Sequence, residues 1–224
     1  MKLLTGLMTI VLSAATPLET ARDLQDRSGL EKLVAEASAE VGKKPADAAA
    51  QYRVALAQSY LAEVALELRD KGAAARAAEA GIKAAQKAVE LKPAVAENHR
   101  ILGTLCGQII PANTLLGLKY GRCALEEINK AIELDPKNAM AYLSRGVGNY
   151  YLPEQLGGGV DKSLADFQRA SQMDPKLAEA HLWAGLALRK RNKNAEARAA
   201  LEKALALNPK RVWVKQQLEK TPAK

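Results

Sequence analysis

AEAHLWAGLALRKRNKNAEARAALEKALALNPKR, residues 178–211, reads as two short helices joined by a polar turn. Ala178, His181, Ala184, Gly185 and Leu188 recur at helical spacing along the first, and Ala197, Leu201 and Ala204 along the second. Pro209 stops the second helix, because proline disfavours helix in the residue before it. Working back along the chain, the same closure returns three times. It is Ala88-Val89-Glu90-Leu91-Lys92-Pro93, then Ala131-Ile132-Glu133-Leu134-Asp135-Pro136, then Ala170-Ser171-Gln172-Met173-Asp174-Pro175. A second helical stretch lies upstream of each, so the chain repeats one helical hairpin.

These residues resemble the tetratricopeptide repeat, in its consensus length from Ala178 to Arg211. Gly185 and Ala197 match the family's small positions, where its two helices approach, and Ala204 and Pro209 match its closing alanine and proline. His181 replaces the usual large aromatic. Earlier units carry Ala139, Tyr142 and Gly146 with Ser163, Phe167 and Ala170, and Ala96, His99, Leu102 and Gly103 with Ala124, Ile128 and Ala131. The loosest runs from about Ala49 through Tyr52, Gly81, Ala85 and Ala88. The resemblance implies an all-α, right-handed solenoid of antiparallel helix pairs, with repeats at about 49–93, 96–136, 139–175 and 178–209. Each pair has two apolar stripes and cannot bury both alone, so neighbours stack. A helix near Leu30 to Val41, ended by Gly42-Lys43-Lys44-Pro45, is expected before the array. A capping helix at 212–220, with Trp213 beneath it, is expected after it. The solenoid thus spans 28–220, residues 16–27 read as a linker and 221–224 as a tail. From His99 to Asn149 the chain also resembles the regulator of microtubule dynamics family, which implies an intracellular adaptor.

The composition agrees. Among 224 residues 48% are hydrophobic but only 4% aromatic, which suits helices packed through alanine rather than a β-sandwich. Residues 187–224 hold eleven Lys and Arg against three Glu, an excess equal to the whole chain's net charge of +8. Such an end can attract acidic proteins or anionic surfaces, or merely keep a terminal repeat soluble. No specific nucleic-acid binding is expected.

Met1-Lys2, the apolar stretch Leu3 to Ala15 and small residues before Thr16-Pro17 describe a cleavable secretory signal at 1–15. As a helix that stretch rises only about 20 Å, too short for a hydrocarbon core of about 30 Å. The expected location is the periplasm or the exterior, with no membrane span in the mature chain. An exported protein can oxidise Cys106 and Cys123. They stand level on the two helices of one hairpin, and a bridge would close a loop of about 17 residues. Helix axes about 8–10 Å apart often hold Cα atoms too far apart, and the repeat register turns Cys123 partly away, so free buried thiols are expected, with the disulfide as the alternative.

The resemblance places the first helix of each pair on a concave groove. Its positions here are Arg53 and Tyr60; Arg100 and Gln108; Leu143, Val147, Tyr150 and Tyr151; then Glu179, Leu182, Arg189 and Lys190. That mixture, cationic at both ends and aromatic in the middle, would suit a peptide with acidic flanks. Arg53 and Ala57 stand where the family's chaperone-tail clamp needs lysine and asparagine, so that specificity is not supported. All the extra residues of the looser repeats are expected in the turns inside helix pairs, on one rim. The most distinctive turn holds Pro153, Gly157, Gly158 and Gly159. Asp161 before Lys162-Ser163 breaks any phosphate-loop pattern, so the glycines serve either a longer turn or a ligand. Arg145, at a normally apolar position, needs Glu126, Glu127 or Asp166 as an internal partner, or else a ligand carboxylate.

His99 and His181 occupy equivalent packing positions, and no metal set, cofactor motif or nucleophile–base pair is recognisable. The expectation is a non-catalytic scaffold for a peptide or protein. Its alternative from another class is a carrier with a closed apolar pocket for a small molecule or lipid.

Overall fold

The computed structural model describes residues 15–113 and 115–223; the expected signal segment falls outside them except for Ala15. Among the described residues there are eleven α-helices and no strand. α1 (Pro17–Asp23) and α2 (Arg27–Lys43) precede four antiparallel pairs. The pairs are α3 (Ala48–Glu67) with α4 (Lys71–Leu91), α5 (Ala96–Gln108) with α6 (Leu116–Leu134), α7 (Ala139–Tyr151) with α8 (Val160–Met173), and α9 (Ala178–Lys190) with α10 (Asn194–Leu207). α11 (Val212–Glu219) closes the array. Each helix packs on its chain neighbours, and α3, α5, α7 and α9 also touch in series, which makes the pairs a stack rather than a bundle.

The interior is built largely of alanine, and glycine sets the spacing inside the pairs. A Cβ at Gly103 would lie 2.7 Å from Ile128 Cγ1, one at Gly146 would lie 2.5 Å from Phe167 Cε1, and one at Gly185 would lie 2.7 Å from Leu201 Cγ. Around these contacts Ile101, Leu105 and Cys106, then Leu143 and Phe167, then Leu182, Leu201 and Val214 form successive buried clusters. At about 25 cal/mol per Å² of buried apolar area, many small contributions replace a few aromatic ones.

Five expectations are corrected. Residues 16–27 are no linker: Thr16 and Glu19 form a reciprocal cap that starts α1, and Ala21, Arg22 and Asp23 are buried against the array. The extra residues of the first repeat do not widen its turn, since α3 and α4 run to 20 and 21 residues and only Leu68–Asp70 separates them. The tail is anchored at Thr221, which is buried, and whose carbonyl and hydroxyl accept from Arg198 and Arg189. Those arginines satisfy the last carbonyls of α11, a structural use for part of the basic end. Cys106 and Cys123 are joined rather than free, with Cα atoms 6.0 Å apart, because α5 and α6 approach closely beside Gly103. The fifth correction concerns the groove.

Candidate functional site

The concave side of the array is largely filled by the protein's own side chains. α3 presents Tyr52, Tyr60, Glu63 and Glu67 along one stripe, at successive helical spacings. From α5, Arg100 donates to Glu97, which also accepts from Asn138 at 2.7 Å and Tyr52 at 3.1 Å. Burial raises the Glu97 carboxyl, but Arg100 and these donors outweigh it and hold the group below its ordinary range. Ser59 with Gln108 and Thr104 with Ser144 tie neighbouring first helices in the same way.

α1 lies in this space. The guanidinium of Arg22 sits 5.0 Å over the Tyr60 ring, and burial pushes the Tyr60 hydroxyl up to about 12. From the other end of the chain comes Arg211, fully buried. It pairs with Glu63 at 2.7 Å, Glu179 at 3.0 Å and Glu67, and it donates to the Arg22 carbonyl. Asn208 reaches Asp23 at 2.7 Å, and Gln216 reaches Gln25 at 3.0 Å. Four carboxylates therefore surround two guanidiniums. Burial raises Glu63 to about 7 against the pull of Arg211 and Arg22, and it raises Glu67 as well. For Glu179 burial is outweighed by the same two arginines, and its pKa is lowered. The network clasps the N-terminal helix to the last repeat.

The groove residues expected from the sequence separate accordingly. Arg100 and Glu179 are buried in internal ion pairs, Leu143 and Leu182 are core residues, and Gln108 bonds to Ser59. Tyr60 lies under Arg22, Arg53 pairs with Glu40 at 2.6 Å, and Arg189 caps α11. These positions form no open trough, which corrects the groove expected over α3, α5 and α9. What stays accessible is its C-terminal end. Val147 and Tyr150 are half-buried and Tyr151 is 63% exposed. Tyr150 and Tyr151 meet edge to face, and Trp183 lies 5.7 Å from Tyr150 and 5.3 Å from Trp213. Lys190 extends over Tyr150 at 4.6 Å and donates to its carbonyl.

The glycine turn is structural. Gly157 and Gly159 adopt φ of 89° and 111°, a Cβ at Gly158 would meet the Leu152 carbonyl, and Lys162 donates to the Gly157 carbonyl. Pro153 opens the 3-10 turn Glu154–Leu156 beside it. Arg145 finds Asp166, at 2.6 Å, with Asn149 on the same carboxylate. His99 pairs with Glu127 at 2.6 Å and with the Pro93 carbonyl, so it braces two helices. His181 stays half-buried, and burial lowers its pKa. Among the described residues no group of His, Cys, Asp and Glu could hold a metal ion. Sequence reasoning missed Arg22, Glu63, Glu67, Trp183 and Arg211. Glu63 and Glu67 could have been found, since they continue the groove stripe of Tyr60; nothing local marks Arg211.

Comparison with known proteins fits this architecture. No curated protein matches the chain significantly. The solved structures it resembles include TTC0263, a thermophilic TPR protein of Thermus thermophilus. That pair gives a TM-score of 0.62 at 19% identity, over 90% of this chain and 97% of the other. The HusA haemophore of Porphyromonas gingivalis gives 0.57 at 19% identity, over 85% and 91%. At such identities the likeness is one of fold. A tetratricopeptide-repeat model matches residues 178–211, the unit legible in the sequence. The family model "Regulator of microtubule dynamics protein 1-3" matches residues 15–153. That span is far wider than the His99–Asn149 resemblance and takes in α1 and the loosest repeat. With well over half of its length matched, and with a tetratricopeptide repeat following, the chain belongs to the regulator of microtubule dynamics protein 1-3 family.

Proposed function

We propose that this solenoid is a non-catalytic adaptor that holds a protein segment at the C-terminal end of its concave side. The observation that carries the reading is Tyr151, 63% exposed at the edge of a cluster with the half-buried Tyr150, Trp183 and Trp213, and with Lys190 beside it. Aromatic anchors with a cation are the composition of interface hot spots, and this cluster keeps an exposed side at Tyr151 where most of the expected groove residues are buried or paired. A segment with an apolar anchor and an acidic neighbour fits them.

Export belongs to the same proposal. The N-terminal pattern supports it, and so does the Cys106–Cys123 bond, since disulfides persist in oxidising compartments. The family's name refers to microtubule dynamics; an exported chain would not meet tubulin, and no tubulin role is proposed. No helix among the described residues is long and apolar enough to cross a membrane. The carrier alternative expects a closed apolar pocket. Two depressions among the described residues, about 230 Å³ beside Gln58 and Leu61 and about 550 Å³ beside Leu24 and Leu33, open to solvent and carry charged walls, unlike the pocket a carrier needs.

The test is a photo-crosslinking residue at Tyr151 in cells, followed by mass spectrometry. The expected result is a covalent peptide from a protein partner, lost with Lys190→Glu. Recovery of a small molecule, or of no protein, overturns the adaptor reading. N-terminal sequencing of the mature protein checks export: retention of Met1 contradicts it.

A further inference from the structure

In a stack of antiparallel pairs, every turn inside a pair lies on one edge, and the turns between pairs lie on the other. The two edges differ in what they expose. On the inner-turn edge, Leu68 follows α3, Leu115 and Leu118 open α6, and Leu156 precedes α8, with exposures of 48, 68, 87 and 69%. On the opposite edge, Val95 and Leu207 are less exposed, at 40 and 37%. Large apolar side chains are thus collected along one side, and the inner turns are joined to one another. Arg27, at the start of α2, pairs with Asp70 of the first inner turn at 2.9 Å, and Arg191 pairs with Asp161 at 2.7 Å between the last two.

The same turns carry cations. Arg69 and Lys71 follow Leu68, Lys119 and Arg122 follow Leu118, and Lys193 stands in the last turn, all exposed. The acids beside them are engaged, two of them by cations of this set: Glu126 holds Arg122 at 2.7 Å and Glu196 holds Lys193 at 3.1 Å. Asp70 caps α4 and holds Arg27, while Glu154 and Asp161 hold Arg191. From 98 to 125, around the most exposed leucines, the sequence contains no Asp or Glu. Tyr120 lies within that stretch, with Lys119 over its ring at 4.9 Å. Leucines that project past a row of lysines and arginines suit the boundary between headgroups and acyl chains, where the stems insert and the charges remain among phosphates. A protein partner would be expected to meet these cations with its own acids; a continuous anionic sheet meets all the turns at once.

The geometry points to this edge as a docking surface for an anionic lipid bilayer, on which the protein lies without crossing it. The test is co-sedimentation of the full chain with vesicles of phosphatidylcholine and phosphatidylglycerol in equal parts, against vesicles of phosphatidylcholine alone. The expected result is binding to the anionic vesicles that weakens in high salt. It should fall at least about tenfold in Leu115→Ser/Leu118→Ser, from the loss of inserted apolar area, and become insensitive to lipid charge in Lys119→Glu/Arg122→Glu. Both variants carry the same N-terminal segment as the parent, so binding through that segment would persist in them. Circular dichroism of each variant checks that the helices are retained. Equal binding to both vesicles, unchanged binding by the leucine variant, or a leucine-dependent dimer without vesicle binding would each overturn the proposal.

Discussion

Arg211 concentrates more electrostatic consequence than any other side chain described, because it is buried and faces Glu63, Glu67 and Glu179 together. Arg211→Met keeps much of the volume but leaves buried carboxylates facing one another. We expect it to cost about 3–5 kcal/mol in urea unfolding. Glu63 responds to pH in the opposite sense to an ordinary ion-paired acid. Its folded pKa of about 7 stands above the unfolded value near 4.5, so between them the native state keeps a proton that the unfolded chain releases. The stability tied to that proton is present in acid and lost as pH rises through about 7. Glu67, also raised, adds to this trend, while Glu179 and Glu97, both lowered, oppose it. Melting temperatures from about pH 5 to about pH 8 should therefore fall less in Glu63→Gln than in the parent.

Along single elements, two glycines of α7 make a matched experiment. A methyl group at Gly146 would collide with Phe167, whereas one at Gly148 meets nothing within 4 Å. Gly146→Ala is expected to destabilise by about 1–3 kcal/mol, and Gly148→Ala to stabilise by about 0.5–1 kcal/mol, both read from urea midpoints. The bond between α5 and α6 adds a third case: Cys106→Ala/Cys123→Ala should lose about 3 kcal/mol and no longer respond to reductant. The contrast between Gly146 and Gly148 also explains why the repeats were legible in sequence. Gly103, Gly146 and Gly185 recur because packing demands them, and the closing prolines stop helices by local sterics, so both leave a periodic trace. α1 leaves no periodic trace, although Thr16 and Glu19 form its cap. Its seven residues are too few to display a stripe, and what fixes it lies far away in α3 and beyond α10. The same reason hid the filling of the groove: Arg100 and Glu179 look like ligand contacts until their partners, Glu97 and Arg211, are placed in space.

At the level of the whole molecule, the first helix and the last turns hold each other through Arg211, Asn208 and Gln216. Terminal helices of a linear array ordinarily fray, so their amides exchange early. Here the amides of α1 and α11 should exchange as slowly as those of α5, and Arg211→Met should release both ends together, as hydrogen exchange read by mass spectrometry can check. Asp23 and Asn208 stand 185 residues apart. An open row of repeats can assemble from any starting point, each hairpin adding to its neighbour with little loop entropy to overcome. A row whose extremities must meet gains its final contacts only after every intermediate hairpin is in register. One misplaced repeat anywhere would keep the two extremities apart, so the buried charges act as a proofreading step on the completed chain.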